Sequence, residues 1–155
     1  MRRYGFGIAT GSATLCLLAA ALAAAPSAEA GSRKPFKGPV AASVVHVIDG
    51  DTFLADAHVW PGQSIRINIR IRGIDAPEIK SRCRSERAAA LRARAALSGM
   101  IDAATVSISN IGGAKYYGRV LADVETEDGQ AVGAILLDRR FVRAYSGGRR
   151  QGWCD

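Results

Sequence analysis

The sequence of 155 residues has no long low-complexity tract, only two histidines and three cysteines, and fewer acidic than basic residues, 14 against 21. With ordinary apolar content, the absence of a biased tract argues for one small domain with appendages. Cys83, Cys154, His46 and His58 show no finger-like spacing, so a zinc site built on them has no support. The apolar run Ala13 to Ala25 falls short of the roughly 20 residues that span a bilayer, which argues against an uncleaved anchor. Cys16 is preceded by Leu15, where lipoprotein-type cleavage needs a small residue, so lipidation is not expected. The shortage of acids leaves a net charge of +7 and a pI near 9.8. Such a surface favours a polyanionic partner through long-range attraction that salt would weaken. A basic surface kept for solubility is the competing account.

Arg2 and Arg3, the Ala13–Ala25 run and Ala28-Glu29-Ala30 together have the three parts of a secretory signal peptide, with residues 1–30 removed and the mature chain starting near Gly31. The protein is therefore expected to be periplasmic or secreted, with no membrane association after cleavage. In an oxidising compartment the two remaining cysteines, Cys83 and Cys154, are expected to pair and pin the C-terminal tail, free thiols being the alternative. Residues 31–40, rich in Gly, Ser, Pro and Lys, read as a flexible leader, residues 41–146 as the folded domain and residues 147–155 as the tail.

Alternation marks strands from Ala42 to Ile48 and from Phe53 to Val59, joined at Asp49-Gly50-Asp51. The clearest period of two follows: Ile65, Ile67, Ile69 and Ile71 define one face and Arg66, Asn68, Arg70 and Arg72 the other. From Ser85 to Ile101 the chain is rich in strong helix formers, with Ser85 as N-cap, Glu86 in the first turn and an apolar stripe at Ala89, Ala93, Leu97 and Met100. Strands are expected again over 105–110 and 119–126, a short helix over 131–139 and an extended piece over 141–145. The fold class is mainly β with α: a five-stranded OB-type barrel with packed helices.

Three segments carry the chemistry: Val47-Ile48-Asp49-Gly50-Asp51-Thr52, then Arg70 with Ile74-Asp75-Ala76-Pro77-Glu78, then Tyr116-Tyr117-Gly118-Arg119. In order and rough separation they resemble the motifs of the staphylococcal nuclease (thermonuclease) family over about residues 42–145. The resemblance implies an OB barrel and calcium-dependent hydrolysis of DNA and RNA to 3′-phosphorylated products with little sequence preference. A monomer with no stable protein partner is expected.

Phosphodiester hydrolysis needs negative charge neutralised as water attacks. Asp51 and Asp75 are the candidate carboxylate ligands of one divalent cation, Ca2+, and the resemblance adds the Ala76 carbonyl. Glu78 is the candidate general base, and Arg70 and Arg119 the candidate phosphoryl clamps. Tyr117 is expected to cover the base or hydrogen-bond the phosphate, with Tyr145 a second candidate for substrate contact. Each has a plainer reading: Asp-Gly-Asp as a hairpin turn, Asp-Ala-Pro-Glu as a strand breaker, Arg70 as one more polar-face arginine, Arg119 as the partner of Asp123, and the tyrosines as structural. A non-catalytic OB module binding single strands is the rival function, but it has no use for three acids that repel phosphate. The tail after Tyr145 is too short for the family's third C-terminal helix, and a Cys83–Cys154 bond with Trp153 packing is expected to replace it.

Overall fold

A computed structural model describes residues 34–114 and 118–154. The alternation centred on Ile69 becomes β3 (Gln63–Ile71), with Ile69 and Ile71 fully buried and the intervening arginines on the outer face. It follows β1 (Val40–Val47) and β2 (Thr52–Trp60) in a meander. Pro61 and Gly62 make the two-residue turn into β3, and Gly62 takes the positive φ of 76° that glycine adopts without steric cost. Next come β4 (Ile74–Asp75), α1 (Arg84–Ile101), β5 (Thr105–Gly113), β6 (Arg119–Glu125), α2 (Val132–Asp138) and β7 (Arg143–Ala144).

The five longer strands close a barrel in the order β1-β2-β3-β6-β5, with β5 returning to β1; β3 and β6 are parallel and the other neighbours antiparallel. This is the expected OB-type barrel. Closure leaves no free sheet edge along these strands. Phe53, Ile69, Ile71, Val106, Ile108 and Ala122 fill it, each large aliphatic or aromatic side chain contributing about 1.5–3 kcal/mol by burial. Leu97 and Ile101 of α1 and Val132 and Leu136 of α2 extend the same core.

Several local expectations change. In β1 the inward residues are Ala42, Val44 and Val47, not a strict alternation, because a bulge between Val44 and His46 flips the face. The N-cap of α1 is Cys83, two residues before the expected Ser85, with no side-chain cap, so Ser85 lies inside the first turn. Its buried stripe is Glu86, Ala90, Ala93, Leu97 and Ile101: Ala93 and Leu97 are as expected, while Ala90 and Ile101 take the places expected for Ala89 and Met100. In a run of consecutive alanines the composition does not distinguish the two faces. The 105–110 strand extends to Gly113. In the segment expected to be a leader, Phe36 exchanges two backbone hydrogen bonds of 2.7 Å with Ile111. Residues 1–33, which include the signal-peptide expectation, and Tyr117 lie outside the described residues. Among the described residues no helix is long and apolar enough to cross a membrane.

Candidate active site

The Asp49–Asp51 turn is fixed by its own backbone: Ile48 and Asp49 N–H donate to the Thr52 carbonyl, and Asp51 N–H donates to Asp49 Oδ1 at 3.0 Å. It is therefore a turn between strands and also the carrier of a buried carboxylate. Asp51 is only 2% exposed. Its Oδ1 accepts from the Thr52 hydroxyl (2.8 Å) and from Arg70 Nη1, and its Oδ2 accepts the Ala76 N–H at 2.9 Å. Burial is the main force on this carboxyl and raises its pKa from 3.8 to about 6, with Asp49 pushing the same way and Arg70, the Ala76 N–H and the Thr52 hydroxyl opposing.

Arg70 comes off the outer face of β3, where the period of two puts it on the side opposite Ile69 and Ile71. Its guanidinium braces both aspartates, bonded to Asp51 and 3.6 Å from Asp75 Oδ1, and donates to the Ile74 carbonyl at 3.2 Å. Among the outer-face arginines it is distinct: Arg66 pairs with Asp56, and Arg72 with Asp123, at the surface. Asp123 also accepts from Asn110. Asn68 lies opposite Arg119 in the parallel β3–β6 ladder, so Arg70 and Arg119 project from neighbouring strands on one barrel face, two residues apart in register.

The two-residue β4 was absent from the sequence expectation, yet it positions Asp75. It pairs with β7, Asp75 opposite Arg143 and Ile74 opposite Ala144. Asp75 is 4% exposed, and the following Ala76 and Pro77 are buried, whereas Glu78 turns outward into solvent. The Glu78 N–H donates to Glu86 Oε1 at 3.0 Å, tying this turn to the first turn of α1. Glu86 ionises more readily than usual because it accepts from Ser81 and from that N–H. Gly50 completes the packing: a Cβ there would lie 2.6 Å from Ala93 Cβ and 2.9 Å from Ala76 Cβ, so only glycine lets the turn, the helix and the Asp75 segment meet.

The tail folds back over these groups. Cys83 and Cys154 form a disulfide. Trp153 Nε1 donates to Asp75 Oδ2 at 3.3 Å, and its ring lies under the Arg143 guanidinium at 3.9 Å. Among the described residues no helix follows α2. Arg150 reaches Asp75 Oδ1 (Nε, 2.6 Å), the Ala76 carbonyl (2.6 Å) and the Glu78 carboxylate. The structure thus links all three acids through two guanidinium groups, in the order Asp51, Arg70, Asp75, Arg150, Glu78. Arg70, Glu78, Arg119, Tyr145 and Arg150 line one cleft of about 840 Å³. The Tyr145 hydroxyl donates to the Gly148 carbonyl at 2.8 Å, so it braces the tail as well as facing the cleft.

The donor set suits a hard cation: two buried carboxylates and a peptide carbonyl, all oxygen. Asp75 Oδ1 is buried and faces two guanidinium groups, Arg150 Nε at 2.6 Å and Arg70 Nη2 at 3.6 Å. Both observations fit an oxygen cradle built for positive charge. Among the described residues the cluster of three metal-ligand side chains is Cys83, Glu86 and Cys154, whose sulfurs are already bonded to each other.

Arg150, Glu86 and Gly50 were not singled out for the site in the sequence. Arg150 sits in a Gly-Gly-Arg-Arg run that resembles any solvated charge pair, and only its place four residues before Cys154 hinted at a fixed position. The model of the family described as "Staphylococcal nuclease homologue" matches residues 68–151. The match includes Arg70, Asp75, Glu78, Arg119 and Arg150; Asp51 precedes it. No curated protein matches the chain. A family match over more than half of the sequence, on a closed five-stranded barrel of the expected type, establishes that the chain belongs to the staphylococcal nuclease homologue family.

Proposed function

We propose that the protein is an exported nuclease that hydrolyses the phosphodiester bonds of DNA and RNA at this cleft. The observation that carries the reading is the gathering of Arg70, Glu78 and Arg119 along one cleft beside two buried aspartates. Asp51, Asp75 and the Ala76 carbonyl would hold a divalent cation, calcium by family resemblance, which when bound neutralises phosphate charge.

The residues of the chain divide the remaining work. Glu78 is exposed at the rim, where it takes a proton from the attacking water or orients it. Arg70 and Arg119 donate to the non-bridging phosphoryl oxygens, whose charge is greatest in the transition state. Their carriers are paired barrel strands, so the donors are placed before substrate arrives. Tyr145 forms part of the cleft wall and contacts the substrate there. Export fits the same picture, because a disulfide persists in an oxidising compartment.

The test is digestion of plasmid DNA and of RNA by the purified protein, with calcium and with chelator, followed by end-group analysis. Arg70→Ala and Arg119→Ala should each lower turnover about a hundredfold, equivalent to roughly 3 kcal/mol for a lost transition-state donor, and Glu78→Gln should lower it by about 10²–10⁴-fold for a lost general base. Nucleic-acid binding without any cleavage would establish the rival OB-module reading instead.

A further inference from the structure

Arg150 makes contacts that its surroundings do not require of a surface arginine. It lies in an exposed tail, yet its guanidinium is spent on Asp75 Oδ1, the Ala76 carbonyl and Glu78. Two of those groups belong to the oxygen cradle and the third is the proposed base. The approach is built rather than incidental. Gly147 and Gly148 take positive φ values of 106° and 87° as the tail turns back. Tyr145 holds the Gly148 carbonyl, Arg143 holds the Gly152 carbonyl at 2.8 Å, and the Cys83–Cys154 bond closes the segment just beyond.

A guanidinium and a divalent ion cannot share these oxygens. Each needs the Asp75 and Ala76 oxygens at contact distance, and two cations so placed repel each other. We propose that Arg150 is a tethered internal cation of the cradle, which an incoming divalent ion must displace. The tail therefore sets how tightly the site takes up its metal. The inference rests on the proposed metal-dependent reading of the same site. When the ion arrives, the guanidinium leaves Asp75 and Ala76 while the tether keeps it beside the cleft. The apparent affinity for an ion is lowered by the fraction of molecules whose cradle is open. If Arg150 fills it in nine molecules of ten, removing the side chain should tighten binding by about tenfold.

The experiment uses the disulfide-bonded protein and Arg150→Gln, each carrying Trp60→Phe so that Trp153, whose indole touches Asp75, is the sole tryptophan. Calcium chloride is titrated by calorimetry. Terbium chloride is titrated by luminescence excited through Trp153, and melting temperatures are recorded in chelator and in calcium. The proposal expects Arg150→Gln to bind both ions about tenfold more tightly and to gain more melting temperature from calcium than the parent does. If Arg150→Gln fails to fold in chelator, calcium should restore it. Failure to fold with calcium as well would overturn the proposal, since the guanidinium would then have a role no ion can fill. If the parent binds and Arg150→Gln binds equally or more weakly, this inference fails and the metal-dependent reading stands. If neither protein takes up either ion, both fail.

Discussion

Replacing Gly50 by alanine should strain the site and the core together, and the size of the effect follows from three atoms. The new Cβ would meet Ala93 Cβ at 2.6 Å and Ala76 Cβ at 2.9 Å, against an optimal carbon–carbon separation of about 3.5–4.0 Å. Neither neighbour is the free end of a flexible side chain. Ala93 is fully buried in α1, and Ala76 is buried one residue after Asp75, so relief requires moving backbone by roughly 1 Å. Overpacking of this kind costs about 1–3 kcal/mol, and the rigidity of both neighbours places Gly50→Ala toward the upper end. For a domain of this size that is a fall in melting temperature of about 10 °C. Adding Ala93→Gly removes the shorter contact but introduces a helical glycine, which by itself costs about 1 kcal/mol. The double variant should therefore be more stable than the sum of the single effects predicts, by at least about 1 kcal/mol. Thermal and urea unfolding of the four proteins in the cycle gives the answer. A Gly50→Ala protein that melts with the parent, or strictly additive effects, would refute the close approach on which the site's assembly depends.

Three further outcomes are expected. Reducing the Cys83–Cys154 bond, whose partners are 71 residues apart, should remove about 4 kcal/mol on the chain-entropy account; an unchanged melting temperature under reductant would show that the bond does not hold the tail in place of a third helix. In cation-free protein the Asp51 carboxyl binds its proton more tightly folded than unfolded, since its pKa is raised from 3.8 to about 6 mainly by burial. Its contribution to stability is thus complete below about pH 4 and lost as pH rises through about 6, a change of about 3 kcal/mol, and urea titrations across this range should show that slope in the parent and not in Asp51→Asn. Glu86→Ala leaves the Glu78 N–H without its acceptor and should cost about 1–3 kcal/mol in urea unfolding, with Glu86→Gln, which keeps an acceptor oxygen, close to the parent.

The readable parts of this molecule are those where one local rule decides the outcome. Four isoleucines alternating with Arg66, Asn68, Arg70 and Arg72 admit one strand, but only its second half has the expected core face: Ile69 and Ile71 are buried, Ile67 is half-buried and Ile65 is exposed. The barrel was legible because the order of strands and helices leaves few ways to close five short strands. The bulge in β1 was not, because Val44, Val45 and Val47 are chemically equivalent candidates for the inner face and only pairing with β2 chooses among them. The two-residue β4 was invisible for another reason: Ile74 and Asp75 become a strand only because Arg143 and Ala144, almost 70 residues later, come alongside. Asp51, Arg70, Asp75 and Glu78 could be picked out because they stand in ordered segments that resemble the staphylococcal nuclease motifs, and the structure brings them close together through Arg70 and Arg150. Arg150 could not be picked out. Its position depends on Trp153, Arg143 and the disulfide acting together on a tail that, taken alone, is glycine and charge.

The parallel pairing of β3 with β6 has a consequence for how such a cleft can vary. Asn68 opposite Arg119 makes the spacing of the Arg70 and Arg119 backbones a property of the hydrogen-bond ladder: one strand across, about 4.8 Å, and two residues along, about 6.7 Å. The stretch joining β5 to β6 enters nowhere into that measure. Insertion or substitution in that stretch therefore leaves the separation of these two guanidinium-bearing positions where the ladder sets it.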